Sequence, residues 1–306
     1  MTTGCGTALV TPFRQDGSLD EQALYALTQW QIESGIHWLV ACGTTAETPT
    51  LTEDEWLRVL RIVTEAAAGR IPVWAGCTHN ATKQAVERAK IAERVPGVTA
   101  ILSASPYYNK PTQEGQFEHF KAVARAVEAP VVLYNIPSRT GVNLEPSTVL
   151  RLAESAQNIC GVKESSGNLA QITELITRAP RDFHVYAGDD NMALGVLGVG
   201  GAGLVSVTSN EIPGEMAQMV QAALENDWPI ARRLNRKYYG LMLANFWETS
   251  PGPVKAVMAM MGKIGENYRL PLLPVSSGTR ARLERLAGEL GLLVHGPQPE
   301  GDLRMF

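Results

Sequence analysis

Among the eight lysines of the chain, Lys163 alone closes a short apolar run, Ile159-Cys160-Gly161-Val162. Desolvation at such a place disfavours the charged ammonium and exposes a free amine, a nucleophile able to form a Schiff base with a carbonyl substrate. The same position also suits a structural lysine paired with Glu164 or another carboxylate, and position alone leaves both readings open. Tyr134 closes a second apolar run, Val131-Val132-Leu133. Its phenol can shuttle the proton that imine chemistry needs as a carbinolamine forms and collapses, or it can be an amphipathic strand cap whose hydroxyl meets water. Thr44 and Thr45, after Gly43, offer two hydroxyls and two N–H groups to a proton relay or a small carboxylate, unless they form an ordinary turn. Arg139 sits in a loop framed by Pro137 and Gly141, which suits either bidentate binding of a carboxylate or a solvated surface arginine. The segment Pro106-Tyr107-Tyr108-Asn109-Lys110-Pro111 sets two aromatics between prolines, more natural for a rim, a lid or a subunit contact than for a core.

These groups share a place relative to the elements that must hold them. Short β-branched runs bounded by turn residues predict strands over Thr7–Val10, Trp38–Ala41, Val73–Ala75, Ala100–Leu102, Val131–Tyr134, Ile159–Lys163, His184–Ala187 and Leu204–Val207. Helical periodicity lies between them, as in Glu21–Ile32, Glu53–Ala68, Lys83–Arg94 and Gln113–Val127. Thr52 with Glu55 forms a candidate capping box, and Gly35 and Gly69 stand where helix C-caps are expected. Strand–helix alternation with right-handed crossovers closes most simply into a (β/α)8 barrel of the α/β class, an open doubly wound sheet being the other solution. In a barrel the chemistry sits at the C-terminal ends of the strands, which is where Thr44, Thr45, Tyr134, Arg139 and Lys163 fall. Further helices are expected over Ala217–Glu225, Ile230–Phe246, Val254–Met261 and Ser277–Leu290. The chain then divides into a catalytic barrel (1–225), a helical extension (226–294) and a frayed tail (295–306).

Composition narrows the function classes. Hydrophobic residues at 45% of 306 supply a large core, and a net charge of −4 lacks the electrostatic footprint of a nucleic-acid binder. The longest apolar-leaning run, Met192 to Val207, is too short and too Gly-rich for a membrane span of about 20 residues. The first residues have neither a basic nor an apolar signal region, so a cytoplasmic location is expected. Cys5, Cys42, Cys77 and Cys160 show no CxxC spacing and read as reduced core thiols. The glycines from Gly195 to Gly200 approach the dinucleotide pattern but lack its preceding strand and acidic residue. The five histidines are scattered; Asp189-Asp190 could bind a cation, yet no metal is expected.

Taken together, Gly43-Thr44-Thr45-Ala46-Glu47, Ser105 to Pro111, Tyr134 to Gly141, Val162 to Gly167 and Gly203 to Val207 resemble the dihydrodipicolinate synthase family of pyruvate-dependent class I aldolases and lyases, over about residues 4 to 293. The resemblance implies an imine between Lys163 and pyruvate, with Tyr134, Thr45 and Tyr108 as proton relay and Thr44 and Thr45 also touching pyruvate. Tyr108 would reach in from a neighbouring subunit, making a homodimer the smallest complete unit, usually paired into a homotetramer. Arg139 matches the residue that holds the carboxylate of aspartate semialdehyde, and Val205 a main-chain contact to pyruvate. No metal or organic cofactor is implied.

Two positions depart from the family pattern. Ala46 stands where a glycine is usual, which a negative φ tolerates. In lysine-inhibited relatives the effector pocket has histidines where this chain has Glu53 and Trp56 and an acidic residue where it has Gln84, while Asn80 and Tyr107 are retained; weak or absent lysine inhibition is expected. The competing readings are a sugar-acid aldolase of the same superfamily, such as N-acetylneuraminate lyase, disfavoured by Arg139, and a non-catalytic member, disfavoured by the retention of Lys163, Tyr134 and Tyr108.

Overall fold

The computed structural model describes residues 2–293, so the tail 295–306 lies outside the described residues. Eight parallel strands close into a barrel in sequence order: β1 (Gly4–Ala8), β2 (Trp38–Ala41), β3 (Val73–Gly76), β4 (Val98–Ala104), β5 (Val131–Asn135), β6 (Ile159–Glu164), β7 (His184–Ala187) and β8 (Gly203–Ser206), with β8 pairing back onto β1. The open sheet is excluded. Apolar residues on the outer faces of the strands pack under helices such as Glu53–Ala67 and Gln113–Arg125, while alternate residues fill the barrel interior.

That interior is aromatic toward one end. Trp38 and Trp74 stack with centroids 5.1 Å apart, and Tyr186 meets both edge-on at 5.7 and 5.3 Å. Gly6 makes this possible, because a Cβ there would stand 2.1 Å from the Trp38 indole nitrogen. Above the aromatic layer lie Val40, Leu102, Val132, Tyr134, Ile136 and Val205, so the interior is a packed core that ends in a mouth.

The boundaries differ from the sequence reading in instructive ways. Strand β1 begins at Gly4 rather than Thr7, since Gly4-Cys5-Gly6 reads as a turn by propensity but is paired with Gly203, Leu204 and Val205 of β8. The helices Pro213–Leu224, Trp228–Ala244 and Gly252–Met260 start two to four residues before the expected Ala217, Ile230 and Val254. Prolines in their first turns, Pro213, Pro229 and Pro253, open these helices instead of breaking them. The capping box forms as expected, with Glu55 N donating to Thr52 Oγ1 at 3.2 Å and Thr52 N to Glu55 Oε2 at 3.0 Å. The left-handed C-cap of that helix is Ala68, with Gly69 one residue later. Three helices, Trp228–Ala244, Gly252–Met260 and Ser277–Glu289, follow the barrel and form their own apolar contacts around Ala256, Val257 and Leu283. Cys5, Cys42 and Cys77 are buried, which pushes their thiols up, whereas Cys160 is half-buried. Among the described residues no helix is long and apolar enough to cross a membrane.

Candidate active site

Alternation along β6 decides what Lys163 can do. Lys163 faces inward, only 5% exposed, and its register partner on β5 is Tyr134. The Lys163 Nζ stands 4.2 Å from the Tyr134 ring centroid. Glu164, one residue on, faces the other way and accepts hydrogen bonds from Asn135 Nδ2 (3.0 Å), Gln171 Nε2 (3.0 Å) and the Ser166 backbone N–H (2.8 Å). Burial pushes its carboxyl up and these donors pull against that rise. The structural pairing of Lys163 with Glu164 is therefore not formed, and the amine remains on the barrel interior.

The turn after β7 supplies the nearby acidic groups. Burial raises the carboxyls of both Asp189 and Asp190, and the positive charge of Lys163 opposes the rise in each. Asp190 is fully buried and accepts from Ser206 Oγ and from the backbone N–H groups of Val207 (3.0 Å) and Thr208 (3.3 Å). It thus fastens the end of β7 to the end of β8, the strand that carries Val205. Gly188 is a site residue that sequence reasoning missed. A Cβ there would stand 1.9 Å from Ser165 Oγ and 3.0 Å from Lys163 Cε, so only a glycine leaves room for the lysine stem. Its place at the end of strand seven, before two aspartates, was the available signal.

Thr44 and Thr45 lie in a 3-10 turn, Thr44–Ala46, directly after β2. Two non-glycine residues with left-handed φ bracket it, Cys42 at 56° and Glu47 at 55°. Such conformations cost on the order of 1–3 kcal/mol each and persist only where surrounding contacts enforce them. Those contacts are visible: Thr48 Oγ1 donates to Gly43 O at 2.9 Å, Thr11 Oγ1 donates to Ala46 O at 2.8 Å, and the buried Glu47 carboxylate pairs with Lys255 at 2.5 Å. Ala46 is not among the positive-φ residues, so its methyl is accommodated.

Outside the turn lies a cleft of about 300 Å³ lined by Gly43, Thr44, Thr78, Tyr107, Ile136 and Arg139. Arg139 is exposed on the short helix Pro137–Thr140, its Nη2 donates to Ser250 O at 3.0 Å, and it lines the cleft together with Thr44. Val205 packs in the same interior cluster as Tyr134. The fold therefore gathers Lys163, Tyr134, Thr44, Thr45, Val205 and Arg139 at one end of the barrel. Of these only Thr44 and Arg139 line the cleft itself, Lys163, Tyr134, Thr45 and Val205 being buried beyond its lining, while Tyr108 stands apart for its 88% exposure at φ 71°.

The residues matched to an effector pocket are used otherwise. Trp56 is a core residue, 1% exposed, whose indole N–H donates to Gly76 O at 3.0 Å, so it does not line an accessible pocket. Glu53 is held by Arg88 at 2.5 Å, and that guanidinium also donates to Thr78 O at 3.1 Å. Asn80 O accepts from Asn109 Nδ2 at 2.9 Å, Tyr107 is half-buried, and Gln84 is exposed.

The chain is 74% identical over 298 residues to the 4-hydroxy-tetrahydrodipicolinate synthase of Acidobacterium capsulatum, covering 97% of this chain and 99% of the relative. It is 59% identical over 290 residues to that of Koribacter versatilis, covering 95% and 96%. A crystal structure of the chloride-inhibited dihydrodipicolinate synthase from Acinetobacter baumannii complexed with pyruvate superimposes with a TM-score of 0.93 at 40% identity, covering 96% of this chain and 100% of that one. Residues 1–290 match the family model described as the Dihydrodipicolinate synthetase family, and the chain belongs to that family.

Proposed function

We propose that this chain, working in the cytoplasm, condenses pyruvate with L-aspartate 4-semialdehyde, the 4-hydroxy-tetrahydrodipicolinate synthase reaction on the diaminopimelate route to lysine. The observation that carries this reading is the Lys163 amine, buried at the barrel mouth on the face of Tyr134 with its acidic neighbour turned away. The amine adds to the pyruvate carbonyl, and the carbinolamine loses water to give an imine. Loss of a methyl proton yields the enamine, whose carbon attacks the aldehyde. The semialdehyde's own amine then displaces Lys163, closing the ring and returning the free lysine. Tyr134 is the proton donor and acceptor at the carbinolamine oxygen, relayed through Thr45. The hydroxyls and N–H groups of Thr44 and Thr45, with the main chain at Val205, hold the pyruvate carboxylate, and Arg139 holds that of the semialdehyde.

Tyr108 completes the relay from a second subunit. Its almost full exposure fits a side chain waiting for an interface, and on this reading the working unit is a homodimer, paired into a homotetramer. Lysine inhibits weakly or not at all, because Glu53 is already neutralised by Arg88 and Trp56 is sealed in the core. A submillimolar inhibition constant for lysine would contradict this last point. The function is tested by following pyruvate consumption with L-aspartate 4-semialdehyde as sole acceptor, coupled to reduction of the cyclic product, beside Lys163→Ala as blank. Turnover abolished by the substitution supports the reading; turnover only with sugar-acid acceptors refutes it.

A further inference from the structure

A charged pair with no direct access to substrate lies under the turn that carries the two threonines. Glu47 follows Thr44–Ala46 directly, and its carboxylate meets Lys255 Nζ at 2.5 Å with both side chains at 0% exposure. Lys255 belongs to the helix Gly252–Met260, which follows the barrel by sequence, so the contact spans 208 positions. Its ammonium also donates to Thr11 O at 3.1 Å and faces the rings of Phe13 (4.6 Å) and Tyr268 (5.0 Å). Arg269 continues the grip along the same loop. Its Nη1 donates to Thr50 O at 2.8 Å, and its Nη groups form a two-pronged contact with Glu55.

Burying such a pair is a poor route to stability, since an apolar pair of similar volume often does as well, so its presence calls for a geometric explanation. That explanation is at hand. Glu47 adopts a left-handed φ of 55°, a conformation a glutamate does not choose unaided, and its carboxylate is held from outside the barrel by the Lys255 ammonium and, at 3.5 Å, by the Arg269 backbone N–H.

We infer that Glu47 and Lys255 are positioning residues: the buried pair, supplied from the post-barrel helix, sets the backbone of the Thr44-Thr45 turn in the orientation that receives the carboxylate of a 2-oxo acid. The inference rests on the reading of that turn as the pyruvate-binding element. Removing the pair loosens carboxylate binding ahead of the chemistry on Lys163, so the loss appears in the pyruvate KM more than in kcat.

The test uses the full chain with two variants. Glu47→Gln keeps the size of the side chain and removes its charge. The double variant Glu47→Gln/Lys255→Met removes both charges and leaves no lone buried ion, whereas Glu47→Gln alone leaves the Lys255 ammonium without its counterion, so the double variant decides the test wherever the single one does not fold. Circular dichroism and thermal melting report folding; steady-state kinetics report KM for pyruvate and for L-aspartate 4-semialdehyde separately. The expected result is a folded double variant whose pyruvate KM rises at least tenfold, with kcat and the semialdehyde KM changed less than threefold, and a rise of the same kind in Glu47→Gln wherever that variant folds. A pyruvate KM within twofold of wild type in either folded variant, or an equal rise for both substrates, overturns the inference. Borohydride trapping of pyruvate on the wild-type chain is the control. Its failure would refute the pyruvate reading itself, whereas wild-type trapping with an unmoved KM in the variants refutes only the positioning role.

Discussion

Tyr134→Phe separates the chemical role of this residue from its packing role. The ring is 5% exposed, shares the barrel interior with Val132, Ile136 and Val205, and lies 4.2 Å from Lys163 Nζ. Phenylalanine keeps that ring, its burial and its contact with the ammonium, and removes one oxygen. The expected loss of stability is therefore below about 1 kcal/mol, a change of no more than a few degrees in Tm. The chemical loss is of another size. A positioned proton donor and acceptor contributes about 10²–10⁴-fold, equivalent to roughly 3–5 kcal/mol of barrier. The coupled condensation assay should show kcat reduced by at least about a hundredfold with the pyruvate KM changed only a few-fold. Thermal melting of the same preparation checks the fold. A folded Tyr134→Phe enzyme within tenfold of wild-type kcat would refute the proton-shuttle assignment and return Tyr134 to the status of a strand cap.

Other consequences follow from single contacts. Arg139→Ala removes a charge-assisted carboxylate contact worth about 1.5–3 kcal/mol, so the semialdehyde KM should rise by about 10–100-fold while pyruvate trapping on Lys163 proceeds normally; equal kinetics for the semialdehyde would remove the role. The Arg269 hydrogen bonds hold the Glu55 carboxyl down at about 2 from the ordinary 4.5. A depressed carboxyl stabilises the fold above its unfolded value and loses that contribution as pH falls from about 4.5 toward 2; with this carboxylate partly exposed, solvent screening keeps the contribution to about 1 kcal/mol. Urea midpoints measured at pH 7, 4.5 and 3 should fall more steeply for wild type than for Arg269→Gln, and parallel slopes would contradict this. Trp74→Ala opens the aromatic layer between Trp38 and Tyr186 and should cost about 3–5 kcal/mol by denaturant unfolding, whereas a loss under 1 kcal/mol would mean that this layer is not the packing core described.

Much of the site was legible because barrel chemistry concentrates at strand ends, and strand ends can be read from where an apolar run stops. Lys163 and Tyr134 each close such a run, and the register of β5 with β6 places them side by side. What stayed hidden had no local signature. Gly188 matters for the room it leaves to a side chain from another strand, and its place at a strand end before two aspartates marks the position without revealing that contact. The Glu47–Lys255 pair joins positions 208 residues apart, a link that periodicity within either segment cannot reveal. The start of β1 was obscured because Gly4 and Gly6 have low strand propensity and are kept there by close approach to β8 and to Trp38. Trp56 was legible only as a departure from the histidine of lysine-inhibited relatives; that it faces inward on an amphipathic helix and is consumed by the core needed the structure.

On the proposed reading, catalysis runs through an imine on one lysine. Incubating the full-length protein with pyruvate and borohydride, then mapping the reduced adduct by peptide mass spectrometry, tests it without any acceptor substrate or coupling enzyme. The expected result is a single stoichiometric adduct on Lys163, absent from Lys163→Ala and undiminished in Arg139→Ala. No adduct, or one carried by another of the eight lysines and persisting in Lys163→Ala, would contradict it.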